Sequence, residues 1–194
     1  MKRIIGITGG IATGKTTVSN YLAETYQLPI LDADIYAREA VKPGTGVLKE
    51  IFARYGARVQ LSDGTLNRQG LGEIIFNNPA ERQWVEGQIH PYVRHRFESE
   101  ITREVGNIIV LTVPLLFEAN MTDLVTEIWV VYCNQEQQLK RIRERDSFSL
   151  AAAQARINSQ LSLEEKIDRA DVLLDNSTTL DNLRQQVDRA LNFL

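Results

Sequence analysis

Gly9-Gly10-Ile11-Ala12-Thr13-Gly14-Lys15-Thr16 decides how the chain is read, because it fits the pattern G-x-x-x-x-G-K-[ST]. Glycines let successive amide N–H groups turn inward around a phosphate. A helix opening near Gly14 aims its positive end at the same group. Lys15 then reaches the β- and γ-phosphates of a nucleotide, and the Thr16 hydroxyl can bind Mg²⁺. The pattern by itself is also satisfied by an ordinary strand-to-helix turn capped by Thr13, with Lys15 in solvent. The flanks supply the missing context. Arg3 to Thr8 (RIIGIT) is short and rich in β-branched residues, which predicts a buried strand. From Gly14 to Tyr26, the apolar residues Val18, Tyr21, Leu22 and Tyr26 recur at helical spacing. Strand, glycine turn and helix in that order make a phosphate-binding loop. Its expected nucleotide contacts are Gly10, Ile11, Ala12, Thr13, Gly14, Lys15, Thr16 and Thr17.

Working outward, four more apolar runs predict strands: Pro29 to Leu31, Asn107 to Val113, Glu127 to Cys133 and Asp171 to Leu174. None alternates strictly, so each is expected to be buried on both faces, as in a parallel sheet between helical layers. Helical patterns separate them, as parallel crossovers require. The stretch from about 35 to 105 is too long for one crossover and predicts a helical insertion. Pro43-Gly44, Ser62-Asp63-Gly64 and Asn77-Asn78-Pro79 punctuate it, and Pro79-Ala80-Glu81 reads as the start of a long helix. A second helical excursion covers about 135 to 169. Asn176-Ser177-Thr178-Thr179 is expected to cap a last helix carrying Leu180, Leu183, Val187 and Leu191 on one face. The core then comprises about 1–34, 106–134 and 170–194 of a single α/β domain.

The chain has 194 residues, enough for one domain with a full core. Its 22 basic and 25 acidic residues leave a net charge of -3, which speaks against coating nucleic acid. The lone Cys133 allows no internal disulfide and fits a reducing compartment. The longest apolar run, Ile108 to Phe117, is broken by Thr112 and Pro114 and falls short of the ~20 residues of a spanning helix. Met1-Lys2-Arg3 is followed by too short an apolar stretch for a signal peptide. The expectation is a cytoplasmic protein with no membrane contact.

A phosphate loop does not name a reaction. Switch proteins, motors and small-molecule kinases share it. The short chain, the insertion after the second strand and an arginine-rich late helix favour a small-molecule kinase over a switch acting on a protein partner. Asp32 and Asp34 close the second strand, at the rim where open parallel sheets bind ligands. One could accept a proton from an acceptor hydroxyl, or both could cap the helix starting near Ile35. Lys140, Arg141, Arg143 and Arg145 form a basic run in which Arg141 and Arg145 share a helical face. They could close over a triphosphate as a lid, or form a solvated face paired with Glu136, Glu144 and Asp146. Glu118 could help hold a metal through water, fix a positive side chain, or lie idle at the surface. His90 reads as a packing or capping residue, Trp84 and Trp129 as core. Neither His90 nor Cys133 has companions for a zinc site.

Taken in order, these landmarks resemble the dephospho-coenzyme A kinase family, a group of phosphate-loop kinases of the nucleoside monophosphate kinase type. The resemblance covers nearly the whole chain. It rests on Ile7-Thr8-Gly9-Gly10-Ile11 leading into Gly14-Lys15-Thr16, then Asp32-Ala33-Asp34 with Ala37-Arg38, Ile89-His90-Pro91, and Val113-Pro114-Leu115-Leu116-Phe117-Glu118. Arg145-Asp146, and Ala170-Asp171 through Asp175-Asn176, complete it. It implies a three-layer P-loop kinase fold: a five-stranded parallel sheet with helices on both faces, a helical acceptor-binding insertion and a helical lid. It implies transfer from ATP, with Mg²⁺, to the ribose 3′-hydroxyl of dephospho-coenzyme A, the last step of coenzyme A synthesis. Asp34 becomes the expected general base and Arg38 a neighbour of the acceptor. His90 moves into the acceptor-binding part, Arg141 and Arg145 to the lid, and Asn176 to the border of the adenine. No nucleic acid and no obligate protein partner is implied. The loop departs mildly from the common Gly-Ile-Gly-Ser-Gly-Lys-Ser. Ala12 stands for a glycine, which is acceptable only if its φ stays negative. Thr13 and Thr16 stand for serines.

Overall fold

The apolar runs form the strands of one parallel sheet in a computed structural model that describes residues 2–76 and 78–192. Asn77, in the expected Asn77-Asn78-Pro79 break, lies outside the described residues. In chain order the elements are β1 (Arg3–Gly9), α1 (Lys15–Tyr26), β2 (Ile30–Asp32), α2 (Ala33–Ala40), α3 (Gly46–Tyr55), α4 (Arg68–Phe76) and α5 (Pro79–Arg103). They continue with β3 (Ile108–Thr112), β4 (Glu127–Tyr132), α6 (Gln135–Asp146), α7 (Leu150–Asn158), α8 (Leu163–Ile167), β5 (Val172–Asp175) and α9 (Leu180–Asn192). The five strands run in the order β2-β3-β1-β4-β5, all pairs parallel. The register sets Ile7 opposite Thr112 and Trp129, and Asp32 opposite Thr112. The chain leaves β1 toward one edge and β3 toward the other. The switch point of this sheet therefore lies between them, at their carboxyl ends.

Two compact units divide the chain, one of residues up to 32 and from 101 onward, the other of residues 33–100. In the first, Val18 and Leu22 of α1 and Leu183, Val187 and Leu191 of α9 pack with Ile5, Ile7, Val110, Trp129, Val131 and Leu174. Burial of each such side chain contributes roughly 2 kcal/mol, so this layer anchors one face of the sheet. Leu180, read as part of the apolar face of α9, is exposed instead. It shares the angle of the buried stripe but is the first residue of the helix. The cap of that helix is Thr179, whose Oγ1 accepts from Asn182 N at 3.3 Å.

The second unit is helical, with α2 to α5 around a core of Val41, Leu48, Ile51, Val59, Leu66, Leu71 and Val85. Asn78 caps α5, its Oδ1 accepting from Ala80 N and Glu81 N at 3.1 and 3.3 Å. Arg54 of α3 lies over the Trp84 ring at 4.5 Å and donates to both oxygens of Glu81, and the Tyr55 hydroxyl donates to Glu81 at 2.6 Å. The hydrogen bonds from Arg54, then Tyr55, pull the Glu81 carboxyl down to about 2. A depressed carboxyl adds stability above its unfolded value of about 4.5 and loses it as pH falls toward the folded one. The stability of the chain relative to a Glu81→Gln variant should therefore be constant between about pH 5 and 9 and shrink between about 4.5 and 2. Urea unfolding of both proteins across that range checks it.

Candidate active site

β1 is buried from Ile5 to its end at Gly9, where the chain turns sharply into the loop with φ 144°. A Cβ at Gly9 would run into the carbonyl oxygen of Val131 on the neighbouring β4, so the strand pairing itself demands glycine here. Gly14 has φ 107° and precedes α1 as its N-cap, so the helix begins at Lys15, one residue later than its apolar spacing suggests. No side chain caps α1 and no acid occupies its first turn. The amide end and positive pole of the helix are left to an anion. Lys15 Nζ donates to its own loop, to Gly9 O at 3.2 Å and Gly10 O at 2.7 Å. The Thr16 side chain is exposed on the first turn.

Ala12 overturns one expectation. Its φ is +59°, in the left-handed region that the sequence reading required it to avoid. An L-residue there costs roughly 1–2 kcal/mol, and the loop carries that strain because its neighbours fix it from several sides. Thr13 Oγ1, buried, donates to Gly10 O at 2.9 Å. Gln138 Nε2 of α6 donates to Ile11 O at 2.8 Å, and Ile11 N donates to Gln160 Oε1 at 3.0 Å. Asn176 Nδ2 donates to Thr13 O at 2.8 Å. An Ala12→Gly variant should be more stable than the parent by up to about 1 kcal/mol, the relieved strain less the greater freedom of unfolded glycine. Its denaturation midpoint checks this.

The remaining expected residues fall into three groups. Asn176, after β5, braces the loop through its side chain and accepts from Arg141 Nη2 at 2.9 Å on its carbonyl. Arg141 is thus joined to the structure around the loop. Arg145 is not; it is exposed and paired with its neighbour Asp146, at 2.9 and 2.8 Å, and this bond pulls the Asp146 carboxyl down. Lys140 lies near Glu144 at 3.9 Å. Lys140 and Arg145 thus each lie beside an acid of their own helix.

Asp34 and Arg38 are exposed on α2, which starts at Ala33 rather than near Ile35, so Asp34 sits inside the first turn. Both line a cavity of about 410 Å³ in the helical unit, with Arg68 as a further cation and Ala37, Val41, Leu66, Leu71 and Ile89 among its apolar walls. His90, half-buried on α5, adjoins Ile89 in sequence. Arg68 was not singled out by sequence. It is one isolated arginine at the head of α4, and only the packing of that helix brings it to the cavity.

Glu118 proves to fix a positive side chain. Its Oε1 lies 2.9 Å from Nζ of Lys166, a residue of α8 with no exposed surface. Cys133 ends the β4 run, and burial pushes its thiol up, away from reactivity. No cluster of three or more His, Cys, Asp or Glu able to hold a metal occurs among the described residues. No helix among them is long and apolar enough to cross a membrane.

A loop folded at positive φ, a lysine bonded to it and an uncapped helix N-terminus behind it make a site for nucleotide phosphates. Comparison with known proteins narrows it. The family model of dephospho-CoA kinase matches residues 3–182. The chain belongs to the dephospho-CoA kinase family. The dephospho-CoA kinase of Trichormus variabilis is 61% identical over 192 residues, covering 99% of this chain and 98% of that one. Among solved structures, TT1252 from Thermus thermophilus superposes with a TM-score of 0.83 at 30% identity, covering 100% and 98% of the two chains. The dephospho-CoA kinase from Campylobacter jejuni gives 0.72 at 29%, covering 98% and 96%. As a family member the chain is an ATP-dependent transferase acting on dephospho-CoA, and its sheet and flanking helices are those of P-loop kinases.

Proposed function

We propose that the chain moves the terminal phosphoryl group of ATP to the ribose 3′-hydroxyl of dephospho-coenzyme A, giving coenzyme A and ADP. The observation that carries this is the family match over residues 3–182, and the loop at Gly9–Thr16, shaped by positive φ at Gly9, Ala12 and Gly14 and leading into an uncapped helix, supplies the phosphate site it needs. Such transfer asks little covalent chemistry of the protein. It asks for position and for charge stabilisation. On this reading Lys15 exchanges the carbonyls of Gly9 and Gly10 for the phosphate oxygens of ATP. Gly10 to Thr17 wrap the phosphates, and Asn176 borders the adenine.

The donor set fits Mg²⁺ held mainly by nucleotide and water. The chain offers the exposed Thr16 hydroxyl at the loop and no acidic cage among the described residues. When bound, the ion would offset negative charge on the phosphates. Asp34, two residues beyond the end of β2, aligns the acceptor hydroxyl and takes its proton. Arg38 and His90 hold the acceptor, and the cavity they border or adjoin suits it. Its arginines match the diphosphate, and its apolar wall matches the thiol arm. Arg141 and Arg145 stabilise charge during transfer.

The division of labour on this reading is a core of about 1–34, 106–134 and 170–194, with acceptor-binding and lid segments of about 35–105 and 135–169. The test is ATP consumption with and without dephospho-coenzyme A, with the position of the new phosphate determined. Consumption that depends on the acceptor, with phosphate on the 3′-oxygen, supports the reading. ATP hydrolysis indifferent to acceptor overturns it.

A further inference from the structure

The crest of the phosphate loop is held from outside by a side chain that itself depends on a buried ion pair. Ile11 N donates to Gln160 Oε1 at 3.0 Å. Gln160 lies in the turn between α7 and α8, and the next amide, Leu161 N, donates to Glu118 Oε1 at 2.9 Å. The same carboxylate faces the Lys166 ammonium at 2.9 Å. Lys166 Nζ also donates to Pro114 O at 3.2 Å, an oxygen that accepts from Thr8 Oγ1 at 3.3 Å. Thr8 directly precedes the loop. The chain of contacts thus leaves the loop at its entry, Thr8, and returns at its crest, Ile11.

Burying a lysine outright is costly. Hydrophobic replacements of such pairs are often as stable or more so, which makes a purely stabilising role a poor account of this one. Glu118 Oε2 is buried and has no hydrogen-bond partner among the described residues, so the carboxylate is not placed here to satisfy both its oxygens. What the pair does achieve is geometric. It fixes the amide of Leu161 and hence the position from which Gln160 reaches Ile11.

We infer that Glu118, oriented by Lys166, is a positioning residue for phosphoryl transfer, acting through Gln160 on the crest of the phosphate loop. The inference rests on the proposed reaction for its kinetic consequence but not for its structural one. Two readouts keep these apart: exchange of the Ile11 amide hydrogen in the protein without substrates, and steady-state kinetics with ATP and dephospho-coenzyme A. Gln160→Ala removes only the last contact. It should raise Ile11 exchange at least tenfold while amides in the middle of α1 stay protected. It should lower kcat about tenfold, since small misplacements of reacting groups carry effects of this order or larger. The KM for dephospho-coenzyme A should change less than twofold, and the denaturation midpoint should hold.

Glu118→Ala should reproduce that exchange and kinetic signature while also losing stability. Glu118→Gln, which keeps an acceptor for Leu161 N, should restore Ile11 protection. Should Glu118→Ala fail to fold, Glu118→Ala with Lys166→Met removes both charges and should fold with the crest still loosened. Adding Gln160→Ala to Glu118→Ala, or to that charge-free pair, should cost no further turnover. Wild-type Ile11 exchange in Gln160→Ala, or fully additive losses in the combined variant, would overturn the inference. Absence of coenzyme A formation by the parent chain would overturn the proposed reaction alone, and the exchange result would still decide the positioning role.

Discussion

Replacing Asp34 by Asn is expected to cut turnover by about 10²- to 10⁴-fold, the range a positioned general base contributes. The two side chains have nearly the same shape, so the cavity lined by Asp34, Arg38 and Arg68 keeps its form. What changes is the ability to accept a proton. An amide can still hydrogen-bond a hydroxyl but cannot take its hydrogen as it becomes an attacking oxygen. ATP affinity should stay within a few-fold of the parent, because the phosphate loop is built from other residues. Asp34 is also exposed, so the substitution should cost the fold no more than about 1 kcal/mol, the worth of an acid in a helix's first turn. Single-turnover measurement of phosphoryl transfer, with ATP binding by titration alongside, checks the split. Turnover within a few-fold of the parent would remove Asp34 from its role and return it to an acid in the first turn of α2, where it favours the helix dipole.

The second large effect is structural. Gly9→Ala places a methyl group against the carbonyl oxygen of Val131 while forcing an L-residue to φ 144°. Neither problem can be relieved by rotating a side chain, because the obstructing atom is backbone in a paired strand, with Gly9 opposite Val131 in register. Backbone strain of this kind costs about 1–3 kcal/mol and overpacking about as much again. The variant should therefore lose roughly 2–6 kcal/mol, much of what a marginally stable domain possesses. If β1 instead shifts to make room, the loop shifts with it and ATP binding falls more than tenfold. Urea unfolding and nucleotide titration together register either outcome. A variant unchanged in both would mean that the β1–β4 register gives way more easily than its hydrogen bonds suggest.

Much of the fold was legible because parallel strands announce themselves. RIIGIT, NIIVLTV and EIWVVYC are short, apolar and β-branched, and each became a strand to within a residue or so. Helix ends were harder. Asp32 and Asp34, read as caps, suggest a start for α2 near Ile35, but the chain turns helical directly after β2, at Ala33. Local spacing cannot show that, because the constraint is where the sheet ends. The phosphate loop was legible as a motif yet not in its conformation. Nothing in the sequence reveals that Ala12 would be pinned at φ +59° by contacts from Gln138, Gln160 and Asn176 on its neighbours in the loop. Lys166 was invisible for a related reason. In Leu163-Glu164-Glu165-Lys166-Ile167 it looks like any solvated helix lysine, and only the tertiary approach of Glu118 and Pro114 makes it a buried one. Glu118, by contrast, was noticed, and one of its open alternatives was the right one.

The first turns of α6 are bolted down: Gln137 donates to Ser177 O at 2.8 Å, Gln138 to Ile11 O and Arg141 to Asn176 O. Past that point, beyond the buried Ile142, the side chains are half-buried or exposed, and the helix ends at Ser147 in a left-handed residue. The two arginines therefore differ in kind. On the proposed reaction, Arg141 would be a stationary counter-charge, already held before any nucleotide arrives. Arg145 would be a recruit, which must first surrender Asp146 and whose arrival can be slowed or withheld.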